Sequence, residues 1–330
     1  MFRGTRIREV TVVGMRIVSL LPSVTEILFA IGAGDQVVGV THECDHPPAA
    51  GTRPAVTRDL LPAGLSSAEI DAAVASGIRD QHTIYALDEQ ALEAVAAELV
   101  IAQRLCDVCA VPVETVDRTL CKIAPDARVV AADPQTLTGL ASAVRAVGAA
   151  AGMSDGAERL AGELTRRLDA VTAAVTPHPR RRVAVLEWTD PPWVPGHWVP
   201  DMVDRAGGRC LLGASGEPSR RTTWDALADV DADVVVAALC GFDLPETIAR
   251  IGEVEQHPAW RRLTADARVI AVDGSAYFSR PGPRLIDGVE LLAWVLHGVG
   301  ARPPGGRAAE LVDGTWTDAA TAHSSASAVV

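Results

Sequence analysis

The segment THECDHPP (41–48) places His42, Glu43, Cys44, Asp45 and His46 in consecutive positions. The segment RLCDVCAV (104–111) adds Arg104, Cys106, Asp107 and Cys109. Imidazole nitrogen and thiolate sulfur are zinc and iron ligands, so His42, Cys44, Cys106 and Cys109 would make a mixed S/N metal site if the fold brought them together. Cys106 and Cys109 form a CxxC, which can equally be a disulfide or redox pair, or two free thiols lining a pocket. A structural zinc site would want a second CxxC or a CxxH at suitable spacing, and the chain has none. In extended backbone, His42, Cys44 and His46 alternate onto one face.

A second constellation is aromatic. LEWTDPPWVPGHWVP (186–200) carries Trp188, Trp193, His197 and Trp198 in a chain with only 4% aromatic residues. Further on come Arg221 and Trp224, then Phe242 and Asp243, then Tyr277, Phe278 and Arg280. Trp198 is expected to plug the core under its loop. The other aromatics would offer flat apolar walls and the arginines a cationic rim, which suits a large, flat, partly anionic small molecule. PSVTE (22–26) reads as a helix start, with Ser23 or Thr25 capping and Glu26 at the positive helix end. Alternatively, it forms a pocket floor whose N–H groups meet an acidic ligand group.

The elements that position these residues are short β-branched or apolar runs at 16–21, 36–40, 98–103, 127–132, 181–188, 233–239 and 268–273. Such continuous apolar runs suit parallel strands covered on both faces. Helical patterns fall at 23–32, 89–97, 136–175, 199–206, 244–252 and 283–298. Strands alternating with helices predict an α/β fold. The long helical stretch 136–175, which Gly152 and the SDG at 154–156 could kink or split in two, divides the pattern in two. The expected organisation is an N-terminal extension (1–14), an α/β lobe (15–135), a linking helix (136–175), a second α/β lobe (176–300), and a tail (301–330) mobile toward its end. Both lobes would contain parallel-rich, Rossmann-like sheets. THECDHPP, RLCDVCAV and the tryptophan segment each follow a strand, and the C-terminal ends of strands in open α/β sheets face the ligand crevice.

The formal net charge of −12 argues against a nucleic-acid partner. The chain has no G-x-S-x-G elbow, no P-loop and no GxGxxG after a strand, so the hydrolase, NTPase and dehydrogenase readings lack support. No apolar run reaches the roughly 18 residues of a membrane span, so no membrane insertion is expected. Six cysteines without a paired framework suggest reduced thiols. The apolar stretch after the early arginines is broken by Pro22, Ser23, Thr25 and Glu26 and reads better as strand and helix than as a signal peptide. A cytoplasmic protein is therefore expected, with export as the alternative, and Met15 as an alternative start.

RIVSLLPSVTEILFAIGAGDQVVGVTHECDHP (16–47) resembles the opening of the vitamin B12 and ferric-siderophore substrate-binding proteins of ABC importers. The positions that carry the resemblance are Pro22, Ser23, Thr25, Glu26, Gly32, Gly34, Asp35, Gly39, Asp45 and Pro47. ALEAVAAELVIAQ (91–103), GHWVPDMVDRAGG (196–208), WDALADVDADVVVAA (224–238) and RPGPRLIDGVELLA (280–293) follow in the family's order. The chain looks most like a leaderless, cobalamin-binding-protein-like branch, with residues 57–88 lengthening the first lobe.

The resemblance implies a non-enzymatic, monomeric small-molecule binding protein with two Rossmann-like lobes bridged by one helix. Its ligand would be cobalamin or another corrinoid, or a metal chelate, held between the lobes, with an ABC permease as partner. Ser23, His42, Glu43, Cys44, Asp45, Arg104, Cys106, Asp107, Trp188, Trp193, His197, Arg221, Trp224, Phe242, Tyr277, Phe278 and Arg280 are the candidate ligand residues. His42 could act as axial ligand to a cobalt corrin. Glu93 and Asp225 match the family's permease-docking carboxylates, the latter as Asp rather than Glu. Two alternatives stand beside this reading: a zinc or iron protein, or a metalloenzyme, built on His42, Cys44, Cys106 and Cys109, and an interaction module that keeps the fold without a ligand.

Overall fold

The computed structural model of the chain describes residues 14–79, 84–103 and 113–321. In chain order the elements are β1 (Ile17–Ser19), α1 (Pro22–Ala30), β2 (Val37–Gly39), β3 (Thr57–Asp59), α2 (Ser67–Arg79), β4 (Tyr85–Leu87), α3 (Glu89–Val95), β5 (Leu99–Ala102), α4 (Val113–Ile123), β6 (Arg128–Ala131), α5 (Leu140–Ala150) and α6 (Ser154–Val175). Then come β7 (Arg181–Leu186), β8 (Trp188–Thr189), β9 (Pro192–Val194), α7 (Val199–Arg205), β10 (Gly208–Cys210), β11 (Arg220–Arg221), α8 (Trp224–Ala228), β12 (Val234–Ala237), α9 (Leu244–Gly252), α10 (Pro258–Thr264), β13 (Arg268–Val272), α11 (Gly274–Tyr277), α12 (Arg284–His297), β14 (Ala308–Val312) and β15 (Thr315–Asp318). The α/β class read from the strand–helix alternation is the class of the fold. The chain forms two units. The first comprises residues 1–59, 85–132 and 146–157, and the second 60–84, 133–145 and 158–330.

The first unit is built on a four-stranded parallel sheet in the order β2-β1-β5-β6. Val18, Val100 and Ala102 pack from this sheet against Leu92 of α3 and Val116 and Leu120 of α4. Helix α3 starts where Asp88 accepts the Ala91 N–H, and it stops at Ala96 in the left-handed conformation.

The long helical stretch is split into two helices rather than kinked, so the linking segment is not a single helix. Gly152, at φ 71°, ends the first. Gly156 has a different role from the kink its sequence context suggests. A Cβ there would sit 2.1 Å from the Ile31 carbonyl oxygen, so glycine permits α6 to lie against the end of α1.

The second unit holds a six-stranded sheet, β10-β7-β12-β13-β14-β15. β10, β7, β12 and β13 run parallel, while β14 and β15 add an antiparallel hairpin. That hairpin lies in the segment read as tail, whose Gly and Pro content hides two strands. Residues of β7, β12 and β13 pack with Leu244, Ile251, Trp260 and Leu263 in the core. Arg167 of α6 donates to Glu290 at 2.7 Å and to Asp287 at 2.5 Å, both on α12. Of residues 57–88, read as lengthening the first lobe, Leu60–Ile84 belong to the second unit.

Candidate ligand-binding site

The candidate residues of the first unit gather at the C-terminal ends of β1 and β2. Leu21, not Ser23 or Thr25, is the N-cap of α1, and it offers no side-chain cap. Ser23 is buried, and Thr25 instead ties the helix to the strand end, donating to Ser19 Oγ at 2.9 Å and to the Leu21 carbonyl at 3.2 Å.

THECDHPP is a turn rather than an extended run, closed by Cys44 N–H to the Thr41 carbonyl at 3.2 Å. This separates the side chains that strand alternation would have aligned. Cys44 is 5% exposed, with its Sγ 3.1 Å from both Thr25 Oγ1 and Thr41 Oγ1. His42 faces outward, with Nδ1 2.8 Å from Thr57 Oγ1 and its ring 5.2 Å from that of Tyr85. The Tyr85 hydroxyl donates to Glu43 Oε1 at 2.8 Å, and Asp45 is exposed. Arg104, Cys106, Asp107 and Cys109 lie outside the described residues. Among the described residues, no group of three or more His, Cys, Asp and Glu side chains is placed to hold a metal ion.

The second unit's candidates centre on a small antiparallel sheet, β11-β9-β8. Trp188 pairs with Trp193, and Trp193 with Arg221. Directly paired residues point to the same face of a sheet, so the two indoles and the guanidinium form one row across it. This row follows β7 directly, at the C-terminal end of the parallel strands. Trp188 stacks on Phe242 at 5.3 Å and 21°, and the Arg250 guanidinium covers the Phe242 ring at 4.8 Å.

The row is engaged by the chain's own helix α2. The Trp188 indole N–H donates to the Ser67 carbonyl at 3.0 Å. Trp193 Nε1 donates to Asp71 Oδ1 at 3.2 Å, and Arg221 to Asp71 Oδ2 at 2.7 Å. Ser67 and Asp71 are four residues apart, on one face of the helix. Glu253 accepts from the Ser67 N–H at 3.4 Å and from Arg250 at 2.7 Å; burial works to raise its carboxyl, but these donors hold it below the usual range. Neither Ser67 nor Asp71 stands out in the sequence. The capping-box pattern of Ser66 and Glu69 is the signal that could have marked the start of α2.

Glu187, which sequence reasoning also missed, lies between β7 and β8, immediately before Trp188. Burial pushes its carboxyl up to about 7, against hydrogen bonds from the Ser219 hydroxyl and the Gly196 N–H. Burial likewise raises the Cys210 thiol to about 11 and holds His197 below the usual imidazole range. His197 takes a positive φ of 49° and stacks on Trp198.

Several other candidates serve packing. Trp198 is 6% exposed and donates to the Phe278 carbonyl at 2.6 Å, as expected of a core plug. Phe278 is 2% exposed, so its ring is core rather than pocket wall. Trp224 meets Trp260 edge-on at 6.0 Å and His257 at 5.2 Å, against the second unit's core. Tyr277 lies under the Arg307 guanidinium, at 5.0 Å. Asp243 caps α9 by accepting the Glu246 N–H. Arg280 is half-buried, and Glu93 and Asp225 are exposed on α3 and α8.

Two units, each built on a sheet with parallel strands, define a two-unit α/β protein. The family model described as "Periplasmic binding protein" matches residues 98–269, more than half of the chain, and the chain belongs to that family. It is a substrate-binding protein of the ABC-importer type. No curated protein matches the sequence.

Among solved structures, the chain is similar to the periplasmic vitamin B12-binding protein BtuF of Vibrio cholerae, at TM-score 0.61 and 19% identity over 85% of this chain and 95% of that one. It is similar to a periplasmic heme-binding protein of Pseudomonas aeruginosa at TM-score 0.63 and 20% identity, over 93% and 98% of the two chains. It is also similar to the periplasmic heme-binding protein RhuT of Roseiflexus sp. RS-1 at TM-score 0.63 and 22% identity, over 85% and 97%.

The family overturns the cytoplasmic expectation, because periplasmic binding proteins are exported. Reading residues 16–31 as strand and helix holds, since they form β1 and α1. The step from that reading to a compartment fails, because a folded strand and helix carry no information about export. Among the described residues, no helix is long and apolar enough to cross a membrane.

Proposed function

We propose that this protein captures a metal macrocycle of the tetrapyrrole class, a corrinoid or a heme, for delivery to an ABC permease, without covalent chemistry. The observation that carries this reading is the row Trp188–Trp193–Arg221 at the C-terminal edge of the second unit's sheet. Two indoles offer extended flat surface, and the guanidinium suits a peripheral carboxylate. Structural relatives that bind vitamin B12 or heme support the same ligand class. Glu93 and Asp225 are the carboxylates proposed to dock the permease.

Titration of the purified protein with hemin and with cyanocobalamin tests the reading. Saturable quenching of tryptophan fluorescence is expected with at least one of them, together with a shift in that ligand's visible spectrum. Unchanged spectra with both at micromolar protein would sink the ligand class.

A further inference from the structure

Residues 60–79, carrying α2, form an arm with its own internal support. Its base is closed where the Leu60 N–H donates to the Ile84 carbonyl at 2.9 Å. Its helix begins with a capping box. Ser66 N–H and Oγ both lie 2.8 Å from Glu69 Oε2, and the Glu69 N–H returns to Ser66 Oγ at 3.3 Å. The arm is inserted between β3 and β4, which pair antiparallel with Asp59 opposite Tyr85. Its helix presents a carboxylate to the aromatic row. Asp71 is 13% exposed and uses both oxygens, one for the Trp193 indole N–H and one for the Arg221 guanidinium. The Arg221 guanidinium also lies 5.5 Å above the Trp193 ring. A guanidinium beside an indole N–H, both directed at one carboxylate, is a recognition site for that group whichever molecule supplies it.

We infer that Arg221 and Trp193 form a carboxylate-receiving subsite which Asp71 fills as an internal competitor, so that a carboxylate-bearing macrocycle binds by displacing the arm. This rests on the ligand class proposed above. A competitor that must be displaced reduces apparent affinity by the fraction of molecules in which the subsite is open. Asp71 and Arg221 make a partly exposed ion pair, so its release is worth roughly a two- to fivefold change in affinity.

The test compares hemin, which carries two carboxylates, with hemin dimethyl ester, which carries none. Both are titrated against wild type, Asp71→Asn, Arg221→Gln and the double variant. Expected are a roughly two- to fivefold lower Kd for hemin in Asp71→Asn, no such gain for the ester, and no gain from Asp71→Asn in the Arg221→Gln background. A second variant guards against misfolding at position 71. It replaces residues 60–84 by Asn-Gly, closing β3 and β4 as a two-residue hairpin, and is expected to tighten hemin in the same way. Equal hemin affinity in wild type, Asp71→Asn and the arm deletion would overturn the inference while leaving the ligand class standing. Equal gains for hemin and its ester would also overturn it, since the carboxylate would then have no part. Absence of hemin and cyanocobalamin binding from every variant would remove the ligand class and the inference together.

Discussion

Thr189 Oγ1 donates to Ser67 Oγ over 3.0 Å, and both residues are fully withdrawn from solvent. The bond joins the first turn of α2 to the hairpin strand β8, across 122 residues of sequence. A buried hydroxyl that loses its partner costs more than the bond itself contributes. Thr189→Val keeps the side-chain shape and removes the donor. It is expected to destabilise the protein by about 1–3 kcal/mol and to speed amide exchange in α2 above all. Unchanged exchange in α2, read by mass spectrometry, would count against its anchoring there.

Glu187 makes a prediction about pH. Its carboxyl titrates near 7 in the folded chain against an ordinary value of 4.5. A raised carboxyl stabilises the fold fully below the ordinary value, and that contribution is lost as pH rises through about 7. The loss is about 3 kcal/mol between pH 4.5 and 8. His197 and His297, both held low by burial, act in the opposite direction as pH falls. The clean readout is therefore the difference between wild type and Glu187→Gln in urea unfolding. The wild type is expected to lose stability relative to the variant as pH increases from 5 to 8. A constant difference would show that the carboxyl titrates normally.

Gly156 sits where a Cβ would come within 2.1 Å of a backbone oxygen. Backbone cannot rotate away as a flexible side chain can. Gly156→Ala is expected to destabilise the first unit by about 1–3 kcal/mol, despite the higher helix propensity of alanine. Gly162, whose added Cβ would meet nothing within 4 Å, is the control. There the same change should be neutral or stabilising by thermal denaturation, and equal effects at the two positions would contradict the close approach.

Alkylation separates the thiols. Cys121 and Cys240 are exposed, Cys44 is buried, and burial raises Cys210 to about 11. The thiolate is the reactive form. Iodoacetamide at pH 8 is expected to label Cys121 and Cys240 rapidly, Cys210 slowly, and Cys44 only after denaturation. Peptide mass mapping that finds Cys44 labelled in the native protein would contradict its packing beneath Thr25 and Thr41.

The parallel strands were legible in the chain because a strand buried on both faces has to be apolar along its whole length. Val234, Val235 and Val236 of β12 announce themselves in this way. The same reasoning could not see β3, β8 or β11, which are only two or three residues long and too short to carry a periodic pattern. Nor could it sort the aromatics. Trp193 and Phe278 both follow strands, yet one joins a cross-strand row and the other disappears into the core. An aromatic ring satisfies either environment, so type and position do not decide between them.

By itself the sequence determined the α/β class, the principal strands and the family, since these rest on local periodicity and on motif order along the chain. The tertiary structure alone decided what THECDHPP and Asp71 do. A turn at Thr41 sends Cys44 inward and His42 outward, where alternation would have put them side by side. Asp71 meets its Arg221 partner across 150 residues. Such a contact depends on how distant elements pack, a relation that no spacing within either segment records.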